Sequence, residues 1–374
     1  MRMKKLMILA VAAIALVACS KTFDTHKSEG TAIGFNTWAE TLTKAATGRT
    51  IGGTAFVAGD YFFVYGNAAT TGTAFDGDKV SASGSPLTWS YSPIRFWNRD
   101  NDYYDFYAIS PSEDTYAAAT NLVASHTVST GAMTTVSLTM GGADNDILVA
   151  DKKKVVKANY GEEVQLNFRH AAALLDLKVR KGAALGANGV LKVTSATLEN
   201  IDNIGTFSVA SYNAPDAESN PNKANISWTA TGHSGTYSGA NGVKNTSSDI
   251  ISSSTEVTTT GDQYLINNLV VMPQTFTASA QRLKITYTIT TGTGDAVQTS
   301  TFTDKTYDLV LFDKTDYDSS LGTDPDSQNA NPRVTGWVDG VHYTYIITID
   351  AEAITFSATM QAWGTDNGYY YIIN

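Results

Sequence analysis

The sequence predicts an all-β protein, and three features predict it. Apolar residues alternate with polar ones at period two in most patterned segments. Other segments are unbroken aromatic and apolar runs of strand length. Clusters of Gly, Asn and Asp punctuate both kinds.

In chain order, the runs Tyr61–Tyr65 and Tyr103–Ile109 are continuous and suit strands buried on both faces. From Val164 the pattern alternates: Val164, Leu166, Phe168 and His170 point one way, and Gln165, Asn167 and Arg169 the other. After Ala171-Ala172-Ala173 the apolar phase passes to Leu175, Leu177 and Val179, which requires a bulge or a short break. Leu283, Ile285, Tyr287 and Ile289 alternate again, as do Tyr343, Tyr345, Ile347 and Ile349. Turn signals fall at Gly52-Gly53, Asp76-Gly77-Asp78, Gly141-Gly142, Asn159-Tyr160-Gly161 and Asp339-Gly340. One segment breaks the rule: over Asn36–Ala46 a short helix is expected, capped by Asn36, with Trp38, Leu42 and Ala45 on one face.

The Gly-rich stretch Lys181–Gly189 follows one strand and precedes the apolar run Leu191, Val193, Ala196 and Leu198. It is the expected boundary between two bodies, residues 50–182 and 190–374, each of a size that suits one β-sandwich with long loops. Asn213–Ser254, rich in Ser, Asn and Gly, is expected to be an extended loop insertion, and Asp313–Pro332 a second, acidic loop.

The chain has a formal net charge of −10 and no basic stripe, which argues against nucleic acid as a partner. Its five histidines show no metal-ligand spacing, and G-x-S-x-G, H-E-x-x-H and Gly-rich phosphate loops are absent. The acidic stretch Asn98–Asp105 lacks the Gly and distal Glu of a calcium loop and reads as a solvated turn, as does Asp144-Asn145-Asp146. His170 reads as a satisfied histidine at a core edge. No catalytic set, no metal site and no cofactor is expected, and the tyrosines and tryptophans are assigned first to cores.

The amino terminus carries Arg2, Lys4 and Lys5, then the apolar run Leu6–Ala18, too short for a membrane-crossing helix of about 20 residues. Leu16-Val17-Ala18-Cys19 resembles a bacterial lipobox, and Cys19 is the only cysteine. The resemblance implies cleavage between Ala18 and Cys19, a lipid on the Cys19 sulfur, and membrane contact through that lipid alone. Residues 1–18 are then a signal peptide, and no thiol is left for a disulfide.

A wider resemblance rests on several stretches in order: Arg49-Thr50, Phe56–Tyr65, Phe106–Ile109, Asp146–Ala150 with Val164–His170, Leu191–Ile201, Val271–Gln274 and Gly340–Tyr345. Together they resemble the bacterial fimbrillin family, including its Mfa-like lipoproteins. The resemblance implies two transthyretin-like β-sandwich domains in tandem and a subunit of a type V pilus at the outer membrane and cell surface. It also implies a trypsin-like protease that cuts after an arginine, and loss of an N-terminal strand. A strand from the C-terminal region of another pilin subunit then fills the groove, and a host or bacterial surface receptor is a further expected partner.

Onto this chain the implied steps map as follows. Residues 19–49 are the propeptide, with Ile33, Phe35 and Trp38 as the apolar residues of a temporary strand; the helix expected from Asn36 competes for Trp38. Arg49-Thr50, in a flexible Gly/Thr stretch, is the maturation site, with Lys44 as a competing one. Tyr369, Tyr371, Ile372 and Ile373 belong to an uncharged terminal strand that is either donated to a neighbour or kept in its own sandwich. Two other readings stand beside the polymerising subunit: a pilus anchor that retains its lipid, and a surface lipoprotein that binds glycans.

Overall fold

A computed structural model describes residues 30–39, 56–111, 123–126, 133–140, 146–209, 226–232, 236–237, 255–257, 262–277, 280–309, 334–350, 354–362 and 369–371. The protein is all-β: besides short 3-10 turns, every regular element among the described residues is a strand.

The first sheet runs in the order β1 (Phe35–Ala39), β10 (Val164–His170), β9 (Ile147–Val156), β5 (Tyr103–Pro111), β2 (Tyr61–Ala68), β3 (Gly72–Ser83) and β4 (Thr88–Ser90). Against it lies a sheet of β14 (Ile226–Gly232), β13 (Ile204–Val209), β7 (Met133–Thr135) and β6 (Val123–His126), with β8 (Leu138–Thr139) also on β13. A third sheet orders β17 (Gln263–Val271), β11 (Ala173–Lys181), β22 (Val341–Ile349), β23 (Ile354–Ala362) and β24 (Tyr369–Tyr371). The fourth orders β15 (Thr236–Tyr237), β12 (Val190–Glu199), β19 (Arg282–Thr291) and β20 (Gln298–Asp308), with β16 (Thr255–Val257) on β12. A small ladder joins β18 (Gln274–Thr275) to β21 (Gly336–Trp337).

The unbroken apolar runs do what their composition requires. Along β2, Phe62 and Val64 enter one core while Tyr61, Phe63 and Tyr65 enter another, so both faces of the first sheet are buried. The second of these cores is completed by Phe207, Val209 and Ile226 of the facing sheet. The third and fourth sheets share a separate core, to which β11, β12, β19 and β22 each give alternate residues such as Leu177, Val193, Ile285 and Tyr345.

The phase switch after His170 is a crossing between sheets. β10 pairs with β9, whereas β11 pairs antiparallel with β17 and parallel with β22. Ala171 and Ala172 make the step, held by the Trp228 indole N–H, which donates to the Ala171 carbonyl at 2.6 Å, and by the Gly340 amide, which donates to the Ala172 carbonyl.

Several expectations are corrected. Lys181–Gly189 does not separate two sets of strands: β11 before it and β12 after it line one core. The stretch curls back because the Lys181 ammonium donates to the carbonyls of Gly186 and Gly189, both at 3.0 Å. Strands β13 and β14, from beyond that stretch, complete a core with β2, β5 and β9. Asn213–Ser254 is not all loop, since Ile226 and Trp228 on β14 pair with β13. Gly77 does not turn the chain; at φ 80° it bulges within β3, where the partners of Val64 and Tyr65 skip from Asp78 to Asp76. The turns at Gly161 and Gly340 do use positive φ.

Leu177→Ala should lower unfolding stability by about 2–5 kcal/mol, because it opens a cavity in a closed core. Ser300→Ala on the exposed edge strand β20 should stay within about 0.5 kcal/mol. Urea unfolding followed by circular dichroism measures both.

Candidate functional site

A sheet that curves around its own core leaves two edges, and unpaired edge groups must find partners. In the first sheet those edges are β10, once β1 is set aside, and the chain that follows β4. One segment, Gly30–Ala39, meets both. Its second half is β1, parallel to β10 from Phe35 opposite Val164 to Ala39 opposite Phe168. The Val164 amide extends this ladder by donating to the Gly34 carbonyl at 2.8 Å. Its first half runs antiparallel to Arg95–Trp97: the Ile33 amide donates to the Arg95 carbonyl at 2.9 Å, and the Trp97 amide donates to the Thr31 carbonyl at 3.0 Å. The segment is therefore a seam that closes the sheet around its first core.

Two side chains anchor it. Ile33 and Phe35, 2% and 4% exposed, point inward, while Asn36, next along β1, faces water. Phe35 sits in an aromatic socket, edge-on to Phe62, Phe75, Tyr91 and Phe106 with ring centroids 5.6–6.0 Å away. The Tyr91 hydroxyl donates to the Ile33 carbonyl at 2.7 Å, and burial raises its pKa above the usual tyrosine value.

Beyond the seam, Trp97 turns inward and stacks on Tyr160 at 4.5 Å, whose hydroxyl burial pushes up to about 12. Ile94 and Phe96 face outward and are 50% and 58% exposed, and Arg95 forms an ion pair with Asp78 at 3.4 Å.

This replaces the helix expected from Asn36. Phe35–Ala39 is a strand because the open edge of β10 supplies partners that an isolated short helix lacks. Trp38 lies on that strand, opposite Asn167. Residues 40–46 lie outside the described residues, as do Ala18, Cys19, Lys44, Arg49, Thr50, Ile372 and Ile373. Tyr369 and Tyr371 lie on β24, which pairs antiparallel with β23 at the edge of the third sheet, Tyr369 opposite Met360 and Tyr371 opposite Ala358.

Sequence reasoning missed the far wall, Tyr91 and Arg95–Trp97. Its signal was the alternation of Ile94 and Phe96 with Arg95 and Trp97, which is too short to separate from a loop.

The other candidates brace the scaffold. The Asn101 side chain accepts hydrogen bonds from the Thr70 and Thr71 amides, both at 2.9 Å, and Asp105 accepts one from Lys154. Asp146 is buried rather than solvated and contacts His170 Nδ1 at 2.9 Å. Asp176 and His342 form a similar pair at 3.0 Å. Among the described residues, no group of three or more His, Cys, Asp or Glu side chains is placed to hold a metal. What this seam offers chemically is two rows of main-chain partners and an aromatic socket, the means to bind an extended strand.

A solved structure shares the fold. A fimbrial protein from Bacteroides vulgatus superposes with a TM-score of 0.52 at 18% identity, over 89% of this chain and 99% of that one. The tip fimbrial protein Mfa3 from Porphyromonas gingivalis aligns with a TM-score of 0.38 at 10% identity, over 82% of this chain and 95% of that one. No curated protein sequence matches the chain closely enough to count. A family model described as fimbrillin-like matches residues 43–363, most of the chain, and the protein therefore belongs to the fimbrillin-like family.

Proposed function

We propose that this protein is a structural subunit of a type V pilus at the cell surface, exported as a lipoprotein on Cys19, cut after Arg49, and polymerised by strand exchange through the seam. The observation that carries this reading is the position of the seam strand. Gly30–Ala39 closes a core whose other strands all begin at Tyr61 or later, so a single cut after Arg49 separates the closure from what it closes.

The energetics suit replacement. Ile33 and Phe35 contribute roughly 1.5–3 kcal/mol each by burial, offset by the entropy of ordering ten residues. While the segment is tethered, its effective concentration is high, on the order of millimolar for a short flexible linker. After a cut it competes at its bulk concentration and is lost to dilution. The open edge of β10 and the vacated socket then select another strand, and head-to-tail repetition builds an open filament. Fimbrillin-like membership supports assembly with other pilin subunits, and the absence of a nucleophile set from the sequence argues against an enzyme.

Intact mass and N-terminal sequencing of the protein taken from its native cell surface test this reading. A chain beginning at Thr50, within oligomers that survive mild detergent, is expected. A start at residue 45 moves the cut to Lys44. A monomeric chain beginning at lipidated Cys19 overturns the polymer reading in favour of a lipid-retaining anchor.

Arg49→Ala should leave the protein monomeric and correctly folded at the same surface, as read by size-exclusion chromatography. Phe35→Ala should weaken the seam by about 3–5 kcal/mol. Faster hydrogen exchange at the Val164 amide, with the third-sheet amides unchanged, reports it.

A further inference from the structure

The seam imposes a steric rule on its occupant. A Cβ at Gly30 would lie 2.7 Å from the Trp97 carbonyl oxygen and 2.9 Å from the Phe96 Cβ. A Cβ at Gly34 would lie 3.3 Å from the Glu163 Cγ. Neither glycine has positive φ, so the requirement is for space, strictest at Gly30, where main chain must give way. One residue past Gly34 the aromatic socket receives Phe35. The seam thus admits a strand with glycine, three residues, glycine and then an aromatic ring.

The sequence contains that pattern again. Gly30-Thr31-Ala32-Ile33-Gly34-Phe35 is matched by Gly364-Thr365-Asp366-Asn367-Gly368-Tyr369. G-T-x-x-G followed by an aromatic residue occurs at these two places alone; the remaining G-T-x-x-G, Gly235–Gly239, is followed by Ala240.

We infer that Gly364–Asn374 of a second copy of this chain enters the seam in one register. Gly364 takes the place of Gly30, Gly368 that of Gly34, and Tyr369 fills the socket of Phe35. The inference rests on the strand-exchange reading and adds the register and the residues that set specificity. Period two then puts Tyr371 and Ile373 at the places of Thr37 and Ala39, on the face of Phe35. Larger apolar side chains thus line β10. The cost lies at the far wall, where Asn367 takes the place of Ile33. The main-chain bonds to Arg95 and Trp97 need no particular side chain, so what is lost there is the burial of Ile33. Tyr369 brings a hydroxyl that needs a partner once buried, and Tyr91, packed on the Phe35 ring, is the polar group of the socket. The donor must leave β23, to which β24 is joined by three residue pairs at a sheet edge. So short a ladder holds few hydrogen bonds, so release is easy.

Disulfide trapping tests the register. Asn36 pairs with Gln165 on the exposed side of the seam, and the inferred register puts Tyr370 there. In the full chain with Cys19→Ser, Gln165→Cys is combined with Tyr370→Cys or with Ile372→Cys. Limited trypsin then removes the N-terminal segment, and mild oxidation follows. Ladders on a non-reducing gel are expected for the Tyr370→Cys pair and not for the Ile372→Cys pair. Ladders from Ile372→Cys alone overturn the register and leave strand exchange standing. No polymer in any variant, the parent included, overturns both. Gly364→Val provides an independent arm: the monomer should keep its thermal midpoint while polymer yield falls at least about tenfold. An undiminished yield overturns the inference.

Discussion

A curved sheet wrapped around a hydrophobic core has to be closed, and here the closure is one ten-residue segment hydrogen-bonded on both sides. The aromatic crowding around Phe35, the turn of Tyr91 toward the Ile33 carbonyl and the inward set of Trp97 all follow from it. Main-chain pairing at both edges satisfies groups that would otherwise be half-exposed at the rim of an apolar core. The closing piece comes from the start of the chain, joined to the rest by residues that follow Ala39. What completes the core is therefore covalently peripheral to it.

The rest of the molecule does not depend on this closure alone. The other face of the first sheet is covered by β13 and β14, so β2, β5 and β9 stay fixed by a second core that does not touch Ile33 or Phe35. Trp228 ties this layer to the crossing at Ala171-Ala172, where β10 passes into β11 and the third sheet begins. The His170–Asp146 and His342–Asp176 pairs lie on the two sides of that crossing, with His170 at the end of β10 and Asp176 on β11. The edge of β10 is thus presented by a strand anchored at its far end.

Much of this was legible in the sequence. Strands buried on both faces announce themselves as unbroken runs, as in Tyr61–Tyr65, and half-buried ones as alternation, as in Tyr343–Ile349. The errors have physical causes. The helical spacing of Trp38, Leu42 and Ala45 competed with the period-two spacing of Ile33 and Phe35, and the edge of a strand some 130 residues away decided between them. Gly77 carries the same turn chemistry as Gly340 but sits where a long strand needs a bulge. Lys181–Gly189 looks like a linker until the Lys181 ammonium is seen to gather its carbonyls. The far wall of the seam depends on pairing between Thr31–Ile33 and Arg95–Trp97, and the short alternation at Ile94–Trp97 does not say which segment it pairs with.

The ladder between β1 and β10 has a mechanical meaning. Lengthwise tension on β1 loads all five residue pairs of that ladder in shear, whereas a pull on one end alone loads them in turn. Hydrogen bonds pulled across a ladder open one after another, like a zip. Pulled lengthwise they share the load and must slip together, carrying Phe35 out of its ring of aromatics in the same movement. A joint built this way yields slowly to sustained traction along the strand and readily to a peel from one end.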